Sequence, residues 1–263
     1  MHPESSITIY PTRPRLDQRV IQRRIGMIIL ATDHTTELDY QRMVAGPGIG
    51  LYVNRIAYAN PTTPGNLRKM LPRLTECADL ILPGEPLDAV LFSCSSASVM
   101  IGDDEIVSAI GTVKPGALVV TPAQAAVQAL TALGAKKIGV VTPYTVETSR
   151  PMAEYFTRLG FEIVSFACLG FDDDREMARI APSALVEIAR EVTTPDADAL
   201  FISCTALRAA LVAAEIEEAI RRPVVTSNQA TAWVCLRHCG DAMPRPEFGR
   251  LMTLPIMSGE AVS

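Results

Sequence analysis

No run of this 263-residue chain approaches the roughly 20 uninterrupted apolar residues of a membrane span. Nor does the stretch from Met1 to Arg24 contain the apolar core of a secretory signal. Arg13, Arg15, Arg19, Arg23 and Arg24 give it the look of a transit peptide, but Glu4 and Asp17 interrupt that pattern. It reads instead as an extended arm passing into a basic, helical lead-in, and the protein as cytoplasmic. Positive charge is in deficit, since 24 Lys and Arg against 29 Asp and Glu leave a net charge of −5. That sign argues against nucleic acid or an anionic membrane as partner. Histidine is scarce, limited to His2, His34 and His238. Also missing are a Walker motif, a nucleophile elbow and a dinucleotide fingerprint. The segment Gly46-Pro47-Gly48-Ile49-Gly50 opens no helix and lacks the G-x-G-x-x-G spacing. Catalysis without a cofactor is the default expectation.

Metal ligands are equally thin. Asp172-Asp173-Asp174 offers oxygens of the kind Mg²⁺ takes, yet three adjacent carboxylates more commonly form a solvated loop. Cys235, His238 and Cys239 share one helical face without a fourth local ligand, which argues against zinc. No metal site is expected. Six cysteines without a secretory signal fit a reducing compartment better than a disulfide framework.

What the chain does contain is a repeat. Asp88-Ala-Val-Leu-Phe-Ser-Cys94-Ser95-Ser96 and Asp198-Ala-Leu-Phe-Ile-Ser-Cys204-Thr205-Ala206 lie 110 positions apart and say nearly the same thing. A second echo, Thr121-Pro-Ala-Gln124 against Thr226-Ser-Asn-Gln229, is offset by 105. Strands are predicted at 25–30, 50–57, 117–120, 137–141, 162–167 and 223–226, and in the runs ending at Cys94 and Ser203. Helices are predicted at 63–82, 122–133, 148–159, 175–192, 207–220, 228–239 and 246–252, with 31–37 a polar loop. Such alternation means parallel sheets with right-handed crossovers. The expected fold is α/β with two pseudo-symmetric lobes, each a parallel four-stranded sheet flanked by helices, and a cleft between them. The boundaries read as an arm (1–24), one lobe (25–121 plus 228–252), a second lobe (122–227) and a tail (253–263).

Each repeated run ends in a thiol at the carboxyl edge of a strand, where ligands bind in open α/β sheets. An isolated Cys there is usually a small buried hydrophobe. Two in matched contexts point to chemistry instead. A thiol at a helix N-terminus faces unpaired amides and the positive end of the dipole, which favour the thiolate. Ser95, Ser96 and Thr205 can donate to a bound carboxylate. The loop Ala31-Thr32-Asp33-His34-Thr35-Thr36-Glu37 follows the first strand and can turn its hydroxyls and His34 into the same cleft. Thr142-Pro143-Tyr144 ends another strand on that edge, where Tyr144 is a candidate ligand contact or an aromatic lid.

Taken together, these segments and Met177-Ala-Arg179-Ile180 resemble the aspartate/glutamate racemase superfamily over about residues 25–240. The resemblance lies in the branch of maleate cis-trans isomerases and arylmalonate decarboxylases, and is greatest to racemase-like proteins of ectoine utilisation. It implies that Cys94 and Cys204 face each other across the interlobe cleft, and that the chain forms a homo-oligomer. In that branch maleate isomerases use the first Cys as a nucleophile, racemases use both as an acid/base pair, and decarboxylases keep only the second. Two departures stand out. Maleate isomerases carry Asn where this chain has His34, and Asn again at about Asp174, to within a residue. A carboxylate at Asp174 repels a second substrate carboxylate and suits an ammonium or amidine. The implied activity is a cofactor-independent isomerase acting beside the carboxylate of a small nitrogen-containing acid, in ectoine breakdown. Cys94 addition to a cis double bond is the alternative, and a small-molecule sensor is the alternative of another class.

Overall fold

The computed structural model describes residues 7–46 and 48–256. Among the described residues eight strands form two sheets: β1 (Arg23–Leu30), β2 (Ile49–Ile56), β3 (Ala89–Ser93) and β4 (Leu118–Val120), then β5 (Lys137–Tyr144), β6 (Glu162–Phe171), β7 (Ala199–Ile202) and β8 (Val224–Thr226). Both sheets are wholly parallel, with orders β2-β1-β3-β4 and β6-β5-β7-β8, so the second repeats the first. Around them run α1 (Thr36–Met43), α2 (Pro64–Arg68), α3 (Leu74–Asp79), α4 (Ser95–Ile101), α5 (Asp103–Gly111) and α6 (Pro122–Ala132). The second half adds α7 (Val146–Arg158), α8 (Asp174–Met177), α9 (Pro182–Val192), α10 (Ala213–Ile220) and α11 (Ser227–His238). Among the described residues no helix is long and apolar enough to cross a membrane.

Local chemistry accounts for these elements. Ile25 to Leu30 are all buried, as expected of a central parallel strand covered on both faces. The second sequence echo marks two helix starts. Thr121 Oγ1 accepts from the Gln124 amide at α6, and Thr226 Oγ1 accepts from the Gln229 amide at α11, where Gln229 completes a capping box. The two helices pack on each other between the sheets. Their small residues Ala123, Ala126, Ala129, Ala230 and Ala232 are fully buried in a core that also contains β1, β3, β5 and β7. Every residue of α11 from Ser227 to Arg237 is buried.

Several predicted elements differ. Residues 7–22 contain no helix, so the basic lead-in is irregular and exposed through Val20. The segment read as a polar loop already contains the start of α1, because Asp33 accepts the Thr35 and Thr36 amides and fixes the turn that leads into the helix. The predicted helices at 63–82 and 175–192 break at Pro72 and Pro182, whose rings cannot continue a preceding helix. Residues 246–252 fold as two 3₁₀ turns hinged at Gly249, whose φ is 92°. β5 runs through Pro143, since β7 ends opposite Val141 and leaves no partner waiting for an amide there.

One buried contact ties α1 to α11. Asn228 Nδ2 donates to Asp39 Oδ2 at 2.8 Å and also to the Thr205 carbonyl at 2.9 Å. Burial pushes the Asp39 carboxyl from about 3.8 up to about 7. Among the described residues, the remaining oxygens Asp39 Oδ1 and Asn228 Oδ1 have no donor, a shortage that a protonated carboxyl relieves. A folded-state pKa above the unfolded one means that the native state holds the proton more tightly. The contribution is full below pH 4 and fades as pH rises toward 7. Asp39→Asn is neutral throughout and brings an amide donor. Its stability relative to wild type should therefore rise between about pH 4.5 and 7.5, by up to a few kcal/mol in urea unfolding. A pH-independent difference would contradict a neutral Asp39.

Candidate active site

β3 and β7 occupy equivalent places in their sheets, so the residue after each lands at an equivalent carboxyl edge. Those residues lead to Cys94 and Cys204, and both thiols line one small cavity together with Tyr144, Asp174, Thr205 and Ser96. The cavity measures about 20 Å³, room for a single water, so a ligand must part its walls to enter. A larger space of about 400 Å³ lies against β4, α6 and α11 and contains neither thiol. Its Arg237 spends its donors on the carbonyls of Asp241, Met252 and Leu254, which is structural work.

The two thiol turns differ in detail. Cys94 is the N-cap of α4, its Sγ 3.7 Å from Ser96 Oγ and within reach of the Ala97 amide. Cys204 starts no helix. The next helical turn is a 3₁₀ segment at Arg208–Val212, and Cys204 itself has φ of 108°, rare for a residue with a Cβ. Its Sγ accepts from the Ala206 amide at 3.4 Å and neighbours the Tyr144 hydroxyl, which also faces Ser96.

Electrostatics overturn the expectation of a preformed thiolate. Burial pushes Cys94 up to about 11, with Asp174 and Asp33 adding to the rise and the Ala97 amide and Ser96 hydroxyl opposing it. Burial pushes Cys204 up to about 12, with Cys94 adding and Tyr144 and the Ala206 and Leu207 amides opposing. Tyr144 lies well above its ordinary value for the same reason. The helix N-terminus is present at Cys94, but desolvation outweighs it. Among the described residues that line the cavity, none is Lys, Arg or His.

The remaining predicted site residues divide. Thr32 donates to Asp174 Oδ2, and Asn60 Nδ2 donates to Asp174 Oδ1 at 2.7 Å, so the Asp174 carboxylate is aimed and held at the cavity wall. Thr205 reaches the Ser93 carbonyl at 3.3 Å across the two sheets. Ser95 is turned away from the cavity, its hydroxyl donating to Ser227 at 2.7 Å. His34 is exposed and lines nothing, because Asp33 takes the inward position of that loop. Asp33 Oδ1 accepts the Thr35 and Thr36 amides at 2.8 Å each, and Oδ2 accepts the Thr36 hydroxyl at 2.7 Å. Of the two side chains, Asp33 lines the cavity and His34 does not. The Asp-x-Thr-Thr spacing signals that the Asp33 side chain bonds the following amides ahead of α1. Asn60, Tyr58, Ser227 and Asn228 carried no local signal. Of the acidic run, Asp173 caps α8 and pairs with Arg175, and among the described residues no cluster of three His, Cys, Asp or Glu is placed to hold a metal.

Neutral resting thiols have a measurable consequence. Without ligand, iodoacetamide alkylation of Cys94 and Cys204 should be slow at pH 7 and rise about tenfold per pH unit through pH 9, because the thiolate fraction is still climbing. A plateau below pH 8 would show that burial does not dominate.

The sequence profile of the arylmalonate decarboxylase family matches residues 86–252, well over half of the chain. The maleate isomerase of Nocardia farcinica is 26% identical over 242 residues, which span 88% of this chain and 95% of that protein. The maleate isomerase of Geobacillus stearothermophilus is 24% identical over 245 residues, spanning 88% and 97%. The fold is shared with a solved structure of a Nocardia farcinica maleate cis-trans isomerase variant holding a covalently bound succinylcysteine intermediate, with a TM-score of 0.80, 23% identity and coverage of 88% and 98%. The chain is an enzyme of the arylmalonate decarboxylase family.

Proposed function

We propose that the enzyme inverts a stereocentre next to the carboxylate of a small acid, using Cys94 and Cys204 as paired acid and base. The observation that carries this reading is that both thiols line one cavity from opposite sheets, with Tyr144 beside them. With substrate bound, one thiol releases its proton to solvent, and the thiolate so formed takes the α-proton and becomes a thiol again. The opposite thiol gives its proton to the other face of the carbanion and is left as the thiolate, ready for the reverse reaction. The hydroxyls of Ser96 and Tyr144 and the amides after each Cys carry the enediolate charge between the two transfers, while Thr205, its hydroxyl given to the Ser93 carbonyl, shapes the wall.

The charge of the walls supports one class of substrate. Asp33 and Asp174 line the cavity where, among the described residues, no Lys, Arg or His does. Although Arg55 donates to the Asp33 carbonyl at 2.9 Å and partly offsets the Asp33 charge, the two carboxylates together make a dicarboxylate a poor guest. They suit an acid that also bears an ammonium or amidine, as in ectoine-derived compounds. Such a cation beside Asp174 also lowers the cost of a buried thiolate, offsetting the desolvation that holds both thiols neutral. A second reading has support in the succinylcysteine held by the Nocardia farcinica neighbour. There Cys94 would add to a cis double bond, the new single bond would rotate, and elimination would return the thiolate with a trans alkene.

Turnover in D₂O separates the two. Racemisation must place deuterium at the α-carbon of an amino or amidino acid, whereas addition, rotation and elimination leave the alkene hydrogens in place. Cys94→Ala and Cys204→Ala should each lower α-deuterium incorporation by about a thousandfold while leaving thermal unfolding nearly unchanged. Retained exchange in either variant would refute a paired mechanism. Asp174→Asn should raise KM for a zwitterionic acid by about tenfold and improve binding of maleate, read by steady-state kinetics and calorimetry. The opposite order of preference would remove Asp174 from substrate selection.

A further inference from the structure

Ser227 is the first residue of α11 and is wholly buried. Its Oγ accepts two hydrogen bonds, from Ser95 Oγ at 2.7 Å and from the Cys204 backbone N–H at 3.0 Å. One hydroxyl thereby joins the turn that carries the first thiol to the turn that carries the second. Cys204 needs such an anchor. Its φ of 108° is a conformation that a Cβ disfavours, and no helix follows directly to fix the turn. Strain of this kind persists only where the surroundings over-determine it. Other contacts grip the chain further along: Asn228 Nδ2 donates to the Thr205 carbonyl, and Thr35 Oγ1 donates to the Ala206 carbonyl at 2.7 Å. Ser227 holds the amide of Cys204 itself.

We propose that Ser227 is a positioning residue for the thiol pair. Its hydroxyl keeps Cys204 in the strained backbone conformation that turns Sγ into the cavity shared with Cys94. Its bond to Ser95 keys that placement to the Cys94 turn. The consequence for turnover rests on both thiols acting in the reaction, whereas the placement of Cys204 does not.

The test reads Cys204 directly. Peptide mass spectrometry on the full chain gives the ratio of iodoacetamide alkylation rates at Cys204 and Cys94. It is measured for wild type, Ser227→Ala and Ser227→Thr, each checked for folding by thermal unfolding. Ser227→Ala should shift the ratio by about fivefold or more and lower kcat for deuterium incorporation by about tenfold to a hundredfold, with KM within about twofold. Ser227→Thr keeps the acceptor and should return the ratio to within about twofold of wild type. A folded Ser227→Ala with the wild-type ratio overturns the proposal. So does a folded Ser227→Thr as disturbed as the alanine variant. Should Ser227→Ala fail to fold, Ser95→Ala, which removes the bond orienting the Ser227 hydroxyl, is read in the same way, and an unchanged ratio there overturns it. A shifted ratio in a protein that exchanges deuterium into no acid leaves the positioning role standing and sinks the stereoinversion reading instead.

Discussion

Two thiols and two carboxylates removed from water in one cavity, with no cation among the described lining residues, set the terms for the rest of the site. Every charged form in that space is costly, and desolvation is the largest contribution to the raised pKa of each thiol. The surrounding donors are partial compensation. The Ala97, Ala206 and Leu207 amides and the Ser96 and Tyr144 hydroxyls all lower the cost of a thiolate, and together they do not cancel burial. Under the proposed function, a nitrogen on the substrate brings the missing positive charge. On this view the ligand completes the electrostatics that make its own deprotonation possible.

Geometry is supplied by the duplicated sheets. Because the order β2-β1-β3-β4 recurs as β6-β5-β7-β8, the carboxyl edges after β3 and β7 present their thiols to a common space. The duplication stops at the backbone of the turns. Cys94 caps a helix in an ordinary extended conformation, whereas Cys204 is strained and held from α11. The helix that supplies Ser227 and Asn228 also packs against α6 and α1, so the thiol turns are braced by a buried helix of the shared core.

Much of this was legible beforehand. The apolar runs ending in Ser-Cys, the helical spacing between them and the two Thr-x-x-Gln starts are local patterns, and local patterns specify strands, caps and topology. Helix continuity was read too generously across Pro72 and Pro182. The choice between His34 and Asp33 was not legible for a related reason. Both are polar residues of one loop, and only the bonds to Thr35 and Thr36 decide which turns inward. Asn60 and Ser227 were beyond reach, because their partners Asp174 and Cys204 lie 114 and 23 residues away.

By itself the sequence determined the α/β class, the twofold repeat and the matched placement of Cys94 and Cys204 after two equivalent strands, since each follows from periodicity and residue type within short windows. The tertiary structure alone decided that the thiols rest neutral, that Asp33 replaces His34 at the site, and that Ser227 bridges the two turns. Those properties depend on burial and on contacts between distant segments, and neither exists until the two sheets have closed on their shared core.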